Sequence, residues 1–266
     1  MIAAMNKRLL TAPLVLFAVL MICSSVKAQL LTWSPSFITE TSTGIEITAD
    51  ANKGNQGLLN HTPSDVYVHI GVITNLSTGP TNWRYAPFTW GTTNPSAQAT
   101  SVAFNKWKFT IGADLRTFFN ITNPSETILK IAILFRSGSG AKKLANADQG
   151  DMYIPVYAAG LNARIDRPYK EPKYSPVPET MNLNAGDPIQ IEGSSSEVAN
   201  LKILVNGDIK YTANSSTFIS GSVNAVSGNN LITVEATNSN GTVSDIMTVF
   251  VNTPVVTQAQ PANTMD

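Results

Sequence analysis

Cysteine is almost missing from the 266 residues: Cys23 stands alone. A single thiol forms no internal disulfide and no thiolate metal site, so stability must come from apolar burial. Histidine is nearly as scarce. His61 and His69 are the two present, and neither is spaced from an acid or a nucleophile in a way that suggests a triad or a zinc site. Charge is sparse too, at 14% of residues against an average of about 25%. Beyond the first 28 residues no apolar run approaches the ~20 residues that a membrane-spanning helix needs, and no stretch carries an apolar stripe of 3.6-residue period.

What is present begins with a leader. Lys7 and Arg8 precede an apolar run over residues 9–23, and Val26-Lys27-Ala28 follows with small residues at a cleavage position before Gln29. This is the pattern of a secretory signal peptide and implies a secreted or cell-surface protein. Lipidation at Cys23 is disfavoured because Met21 and Ile22 are not the small residues a lipoprotein box wants. Removing residues 1–28 leaves 15 basic against 18 acidic residues, a net charge of −3, which argues against nucleic acid as a partner. Asn, Ser, Thr and Gly fill the polar positions. Such a surface suits neutral, hydroxyl-rich ligands, although the turns of any extracellular β-protein call for the same residues.

Two-residue periodicity runs from Gly44 onward. Strands are expected at 45–49, 66–72, 88–90, 107–111, 128–135 and 152–157, separated by Gly-, Asn-, Pro- and Ser-rich chain, with 114–119 a short connection. A charged, Pro-rich stretch over 159–177 reads as a linker. Further strands are expected at 189–192, 201–205, 209–212, 217–219, 231–236 and 246–251, with Asn206-Gly207 and Asn240-Gly241 as hairpin turns. The fold class is therefore all-β, with two sandwiches: residues 29–158, then an immunoglobulin-like unit over 178–252. Residues 253–266 read as a linker cut short.

Several segments carry a resemblance. VYVHIGVITNLSTGPTNW (66–83), FTWGTTNPSAQAT (88–100), ETILKIAILFRSGSGAKK (126–143) and DMYIPVY (151–157) resemble the amino-terminal, non-catalytic region of large secreted bacterial α-amylase-family glycoside hydrolases. The second unit resembles the Ig-like module that follows it there. The resemblance implies that a longer parent would continue into a catalytic (β/α)-barrel, which this sequence does not contain. In a narrower way the first unit resembles starch-binding modules, which would put His69 and Trp83 at a sugar site; the intervening loop and the distal strands depart from that pattern in length and composition.

The residues themselves support no reaction. Glycoside hydrolysis needs two carboxyl groups across a cleft, whereas Glu46, Asp65, Asp114, Glu126, Asp148 and Asp151 fall in turns or on polar strand faces. The oxygen-rich turns at 50–54 and 146–151 lack the distal Glu of a calcium loop and read as ordinary turns; no metal or cofactor is expected. The aromatics carry more information, because flat rings stack on the apolar faces of sugars. Along 66–72, alternation sends Val66, Val68, Ile70 and Val72 inward, and Tyr67, His69 and Gly71 to the exterior. Trp83, Tyr85 and Trp90 follow in or beside loops. For Trp83 binding and packing weigh evenly; for Trp90 packing weighs more; Trp107, Phe109 and Ile111 belong to the core. The expected function is weak α-glucan binding by a non-catalytic accessory segment through His69, Trp83, Tyr67, Tyr85 and Trp90. The alternative is a structural spacer for a catalytic domain.

Overall fold

A computed structural model describes residues 29–252; the leader and the segment 253–266 lie outside the described residues. Among the described residues no helix is long and apolar enough to cross a membrane.

The first domain is a sandwich of two antiparallel sheets. One runs β1 (Leu31–Ser34), β2 (Ile45–Asp50), β5 (Lys106–Ile111), β4 (Thr100–Ala103). The other places β3 (Val66–Thr74) beside β6 (Ile128–Ser137), whose far edge takes β7 (Lys143–Leu144) and β8 (Met152–Pro155). Strand alternation builds the core: Val66, Val68, Ile70 and Val72 of β3 face Trp107, Phe109 and Ile111 of β5, all buried. Burying each such aliphatic side chain contributes about 1.5–3 kcal/mol. The Trp107 indole donates to the Pro63 carbonyl at 2.9 Å, which satisfies its one polar atom.

Residues 88–90, expected as a strand, form a loop instead. Phe88 alone drops into the core beside Phe109, while Trp90 goes to the other side of the second sheet. The short connection is a single helical turn, α1 (Leu115–Phe118), capped by Asp114, whose carboxylate accepts from the Thr117 amide.

The second domain is immunoglobulin-like in its own strand order. β10 (Pro188–Val205) and β11 (Asp208–Asn224) are long and irregular in mid-course, so each serves two layers. Their outer halves pair together and with β9 (Ala163–Arg167). The halves near their connecting turn pair with each other, and β10 continues the sheet into β12 (Gly228–Asn238) and β13 (Gly241–Val251). Ile189, Ile191, Leu201, Ile203, Val234 and Val249 fill the space between the layers. Asn206 and Gly207 have φ of 54° and 89°, the positive pair that a type I′ turn demands. At the second hairpin the register is one residue off the expectation: Asn238 pairs with Gly241, so Ser239 and Asn240 form the turn.

The 159–177 stretch is not a free linker. It holds β9, the first strand of the second domain, and Tyr169 donates from its hydroxyl to the Leu31 carbonyl of the first at 3.4 Å. Pro content hid the strand, because Pro168 and Pro172 lie just beyond its end.

An aromatic row on the outer face of the first domain

The outer face of the β3–β6–β8 sheet presents Tyr67, His69, Gly71 and Ile73 from β3. Arg136, Leu134, Ala132 and Lys130 lie opposite them on β6. Over this face folds the loop 79–92. Arg84 bridges back to Val72 at the free edge of β3, and the loop's tryptophans then land on the sheet. A Cβ on Gly71 would come within 3.0 Å of the Arg84 carbonyl and 3.5 Å of the Trp83 ring, so glycine is what lets the loop approach.

The result is a row of rings. Trp90 meets the His69 ring edge-on at 5.3 Å, His69 stacks on Trp83 at 5.5 Å and 20°, Trp83 meets Tyr153 at 6.4 Å, and Tyr153 meets Tyr174 at 5.5 Å. Such pairs favour edge-to-face and offset geometries because of the ring quadrupole. A cation stands at each end, with the Arg136 guanidinium 5.7 Å over Trp90 and 5.6 Å over Tyr67, and the Lys130 ammonium 5.6 Å over Tyr174.

Two buried charges hold the loop in place. Arg136, wholly buried, donates to the carbonyls of Thr92 at 2.7 Å, and of Ser137 and Gly138 at 2.9 Å each. It thereby ties the Trp90 turn to β6. Gly140, at φ +75°, leaves room for the Trp90 indole where a Cβ would sit 2.4 Å from its nitrogen. Glu126 accepts from Thr74 Oγ1 at 2.7 Å, Arg84 Nε at 2.5 Å and the Tyr85 hydroxyl at 2.6 Å. Burial opposes ionisation of this carboxyl, but the hydrogen bonds from Tyr85, Thr74 and Arg84 outweigh it and hold the group below the usual range.

Tyr67, His69, Trp83 and Trp90 thus converge. Tyr85 does not: at φ +56° its hydroxyl turns to Glu126, away from the row. Tyr67 and His69 are half-buried rather than exterior, since the loop covers them. Trp90, weighed towards packing, is 41% exposed. Tyr153 and Tyr174 were missed because one alternates with core residues on β8 and the other lies in the supposed linker; only the outward parity of Tyr153 signalled its place. Segment 172–174 reaches the row because Tyr153 N donates to the Pro172 carbonyl at 2.8 Å.

Burial disfavours the charged forms of the titratable groups along this face. Burial, and then the Arg136 charge, lowers the His69 pKa, while the Phe88 backbone and the Asp151 charge act the other way. Burial raises Asp151 against the opposing charges of Lys143 and His69, and burial lowers Lys130. Among the described residues no group of three or more His, Cys, Asp or Glu is placed to hold a metal. The arrangement offers flat apolar surface with a polar rim.

No family model and no curated protein sequence matches the chain. Among solved structures, it is similar to the fibronectin(III)-like modules of Clostridium thermocellum CbhA, at 17% identity over 35% of this chain and 98% of that one, with a TM-score of 0.28. It is also similar to the titin Ig tandem A164-A165, at 8% identity over 85% of this chain and 98% of that one, with a TM-score of 0.26. The titin domains Z1Z2 give 14% identity over 85% and 98%, with a TM-score of 0.25. At such scores the likeness adds no argument.

Proposed function

We propose that the chain is the exported, non-catalytic accessory part of a starch-degrading protein of the α-amylase family, and that its first domain binds α-glucan weakly through the outer-face row. The observation that carries this reading is the exposed Trp90 ring, fixed by Arg136 and backed by the His69–Trp83 stack. A rigid ring loses little entropy when a sugar packs on it, so modest area suffices for weak binding. The uncharged polar surface and net negative charge of the exported chain suit a neutral polysaccharide and not nucleic acid.

Native affinity gels of residues 29–266 with amylose, amylopectin and dextran test it. Retardation on the two α-1,4-glucans, reduced in Trp90→Ala and Trp83→Ala, is expected; migration unchanged by any glucan overturns it. The second reading is a structural spacer. It is favoured by the seam between the domains, where Arg164 of β9 donates to the Ser36 carbonyl at 2.8 Å and lies over the Trp33 and Phe37 rings.

A further inference from the structure

Strand β11 is the end strand of its sheet, paired with β10 on one side and with no strand on the other. From Tyr211 to Asn224 it carries no charge and no proline, the residues that ordinarily keep an open edge from pairing. Phe218 lies within this stretch and is half exposed. Two edges of the first domain are closed by backbone. Arg84 exchanges both its amide and its carbonyl hydrogen bond with Val72 of β3, and Tyr153 of β8 donates to the Pro172 carbonyl.

On β11 two side-chain hydroxyls take that place. The Tyr211 hydroxyl donates to the Ser222 carbonyl at 2.6 Å and accepts from the Ser222 amide at 3.2 Å. The Ser216 hydroxyl donates to the Phe218 carbonyl at 2.8 Å and accepts from the Phe218 amide at 3.1 Å. Phe218 and Ser222 are four residues apart, so their backbone groups point to the same side of the strand. Each hydroxyl thus supplies both the acceptor and the donor that a facing residue of a neighbouring strand would supply. Ser215, at φ 51°, breaks the run of β11 between Tyr211 and this stretch. Gly221 leaves room for the Tyr211 ring, where a Cβ would sit 2.3 Å from it.

We propose that the Tyr211 and Ser216 hydroxyls hold the β11 edge shut against a second copy of this chain. The edge is otherwise complementary to itself. Two copies related by a two-fold axis bring residues 216–224 together antiparallel, with no like charges opposed. With the hydroxyls in place, pairing only exchanges existing hydrogen bonds for ladder bonds, and nothing offsets the cost of association. Without them, ladder bonds replace bonds to water and the Phe218 side chain is covered as well.

Sedimentation of residues 29–266 tests the proposal, with Tyr211→Phe, which keeps the ring on Gly221, combined with Ser216→Ala. The native chain is expected to sediment as a monomer. The double variant should associate at least about tenfold more strongly, and its Phe218 and Ser222 amides should exchange faster when dilute and slow again as concentration rises. Adding Ser220→Lys, which sets a charge on the edge, should restore the monomer. Ser216→Ala alone reads the same effect if the double variant does not fold. A native dimer dissolved by Ser220→Lys would overturn the proposal, as would a folded variant that stays monomeric or a variant dimer indifferent to Ser220→Lys.

Discussion

The His69 imidazole lies nearly parallel to the Trp83 indole, 5.5 Å away, with the edge of Trp90 5.3 Å off the same imidazole. One strand residue thereby joins two loop residues into a single surface. His69 is its pivot, and the pivot titrates.

The consequence is a pH dependence with a defined sign. Burial and the Arg136 charge keep His69 below its ordinary value of 6.5. The unfolded chain takes up its proton near that value and the folded chain only lower, so stability is full above it and falls as pH drops through the window just below. Asp151, raised above 3.8 chiefly by burial, works in the opposite sense and adds stability as pH falls towards that value. The thermal midpoint should therefore decline between about pH 7.5 and about pH 5.5, and His69→Phe should remove that decline. An identical slope in the variant would locate the effect elsewhere.

The two tryptophans should separate by mechanism. Trp90 is exposed on one side, so Trp90→Ala should cut glucan retention with little change in stability. Trp83 covers Ile73, Ala132 and Tyr153, and its truncation should cost roughly 2–3 kcal/mol as well as binding. Urea midpoints set beside affinity-gel mobilities check the split. Equal destabilisation by both would mean that Trp90 is a packing residue.

Much of this was legible in the sequence, for a physical reason. Where both alternation and β-branched composition were present, as in Val66, Val68, Ile70 and Val72, the strand and its buried face follow directly. Asn206-Gly207 encodes its own turn through backbone sterics. What escaped was long-range. Residues 88–90 have strand composition, but Arg136, 44 residues from Thr92, decides their conformation by capturing its carbonyl. Tyr85 has the look of a ligand-facing ring, and only the buried Glu126 redirects it. Strand β9 was hidden because prolines at 168 and 172 suggested a linker, although Ile165 is a core residue.

Glu126 makes that long-range control testable. Three donors converge on a carboxylate that is 1% exposed, so Glu126→Ala leaves Thr74, Arg84 and Tyr85 without their acceptor. Arg84 can turn to solvent, which limits the cost to roughly 2–4 kcal/mol. The loop should loosen with it. Hydrogen exchange at residues 83–85 is expected to accelerate more than at the β3–β6 ladder, and uniform acceleration would show global weakening instead.

The seam offers the last test, because it decides whether the two domains unfold as one. Arg164 belongs to the second domain by its strand, yet its guanidinium contacts Ser36, Trp33 and Phe37 of the first, with Asp166 holding it from its own side. Tyr157 beside it is buried deeply enough that its hydroxyl pKa is pushed up to about 12, so it stays neutral across the accessible range and adds no charge to the junction. Lys170 binds Asp245 at 2.6 Å and ties the connection down to β13. Arg164→Ala removes the cation that both rings share and frees Asp166, while leaving the two cores untouched. Calorimetry should show one cooperative transition for the native chain and two for the variant, since domains with little shared surface unfold independently. Two transitions already in the native chain would show that the Arg164 contacts do not couple the domains.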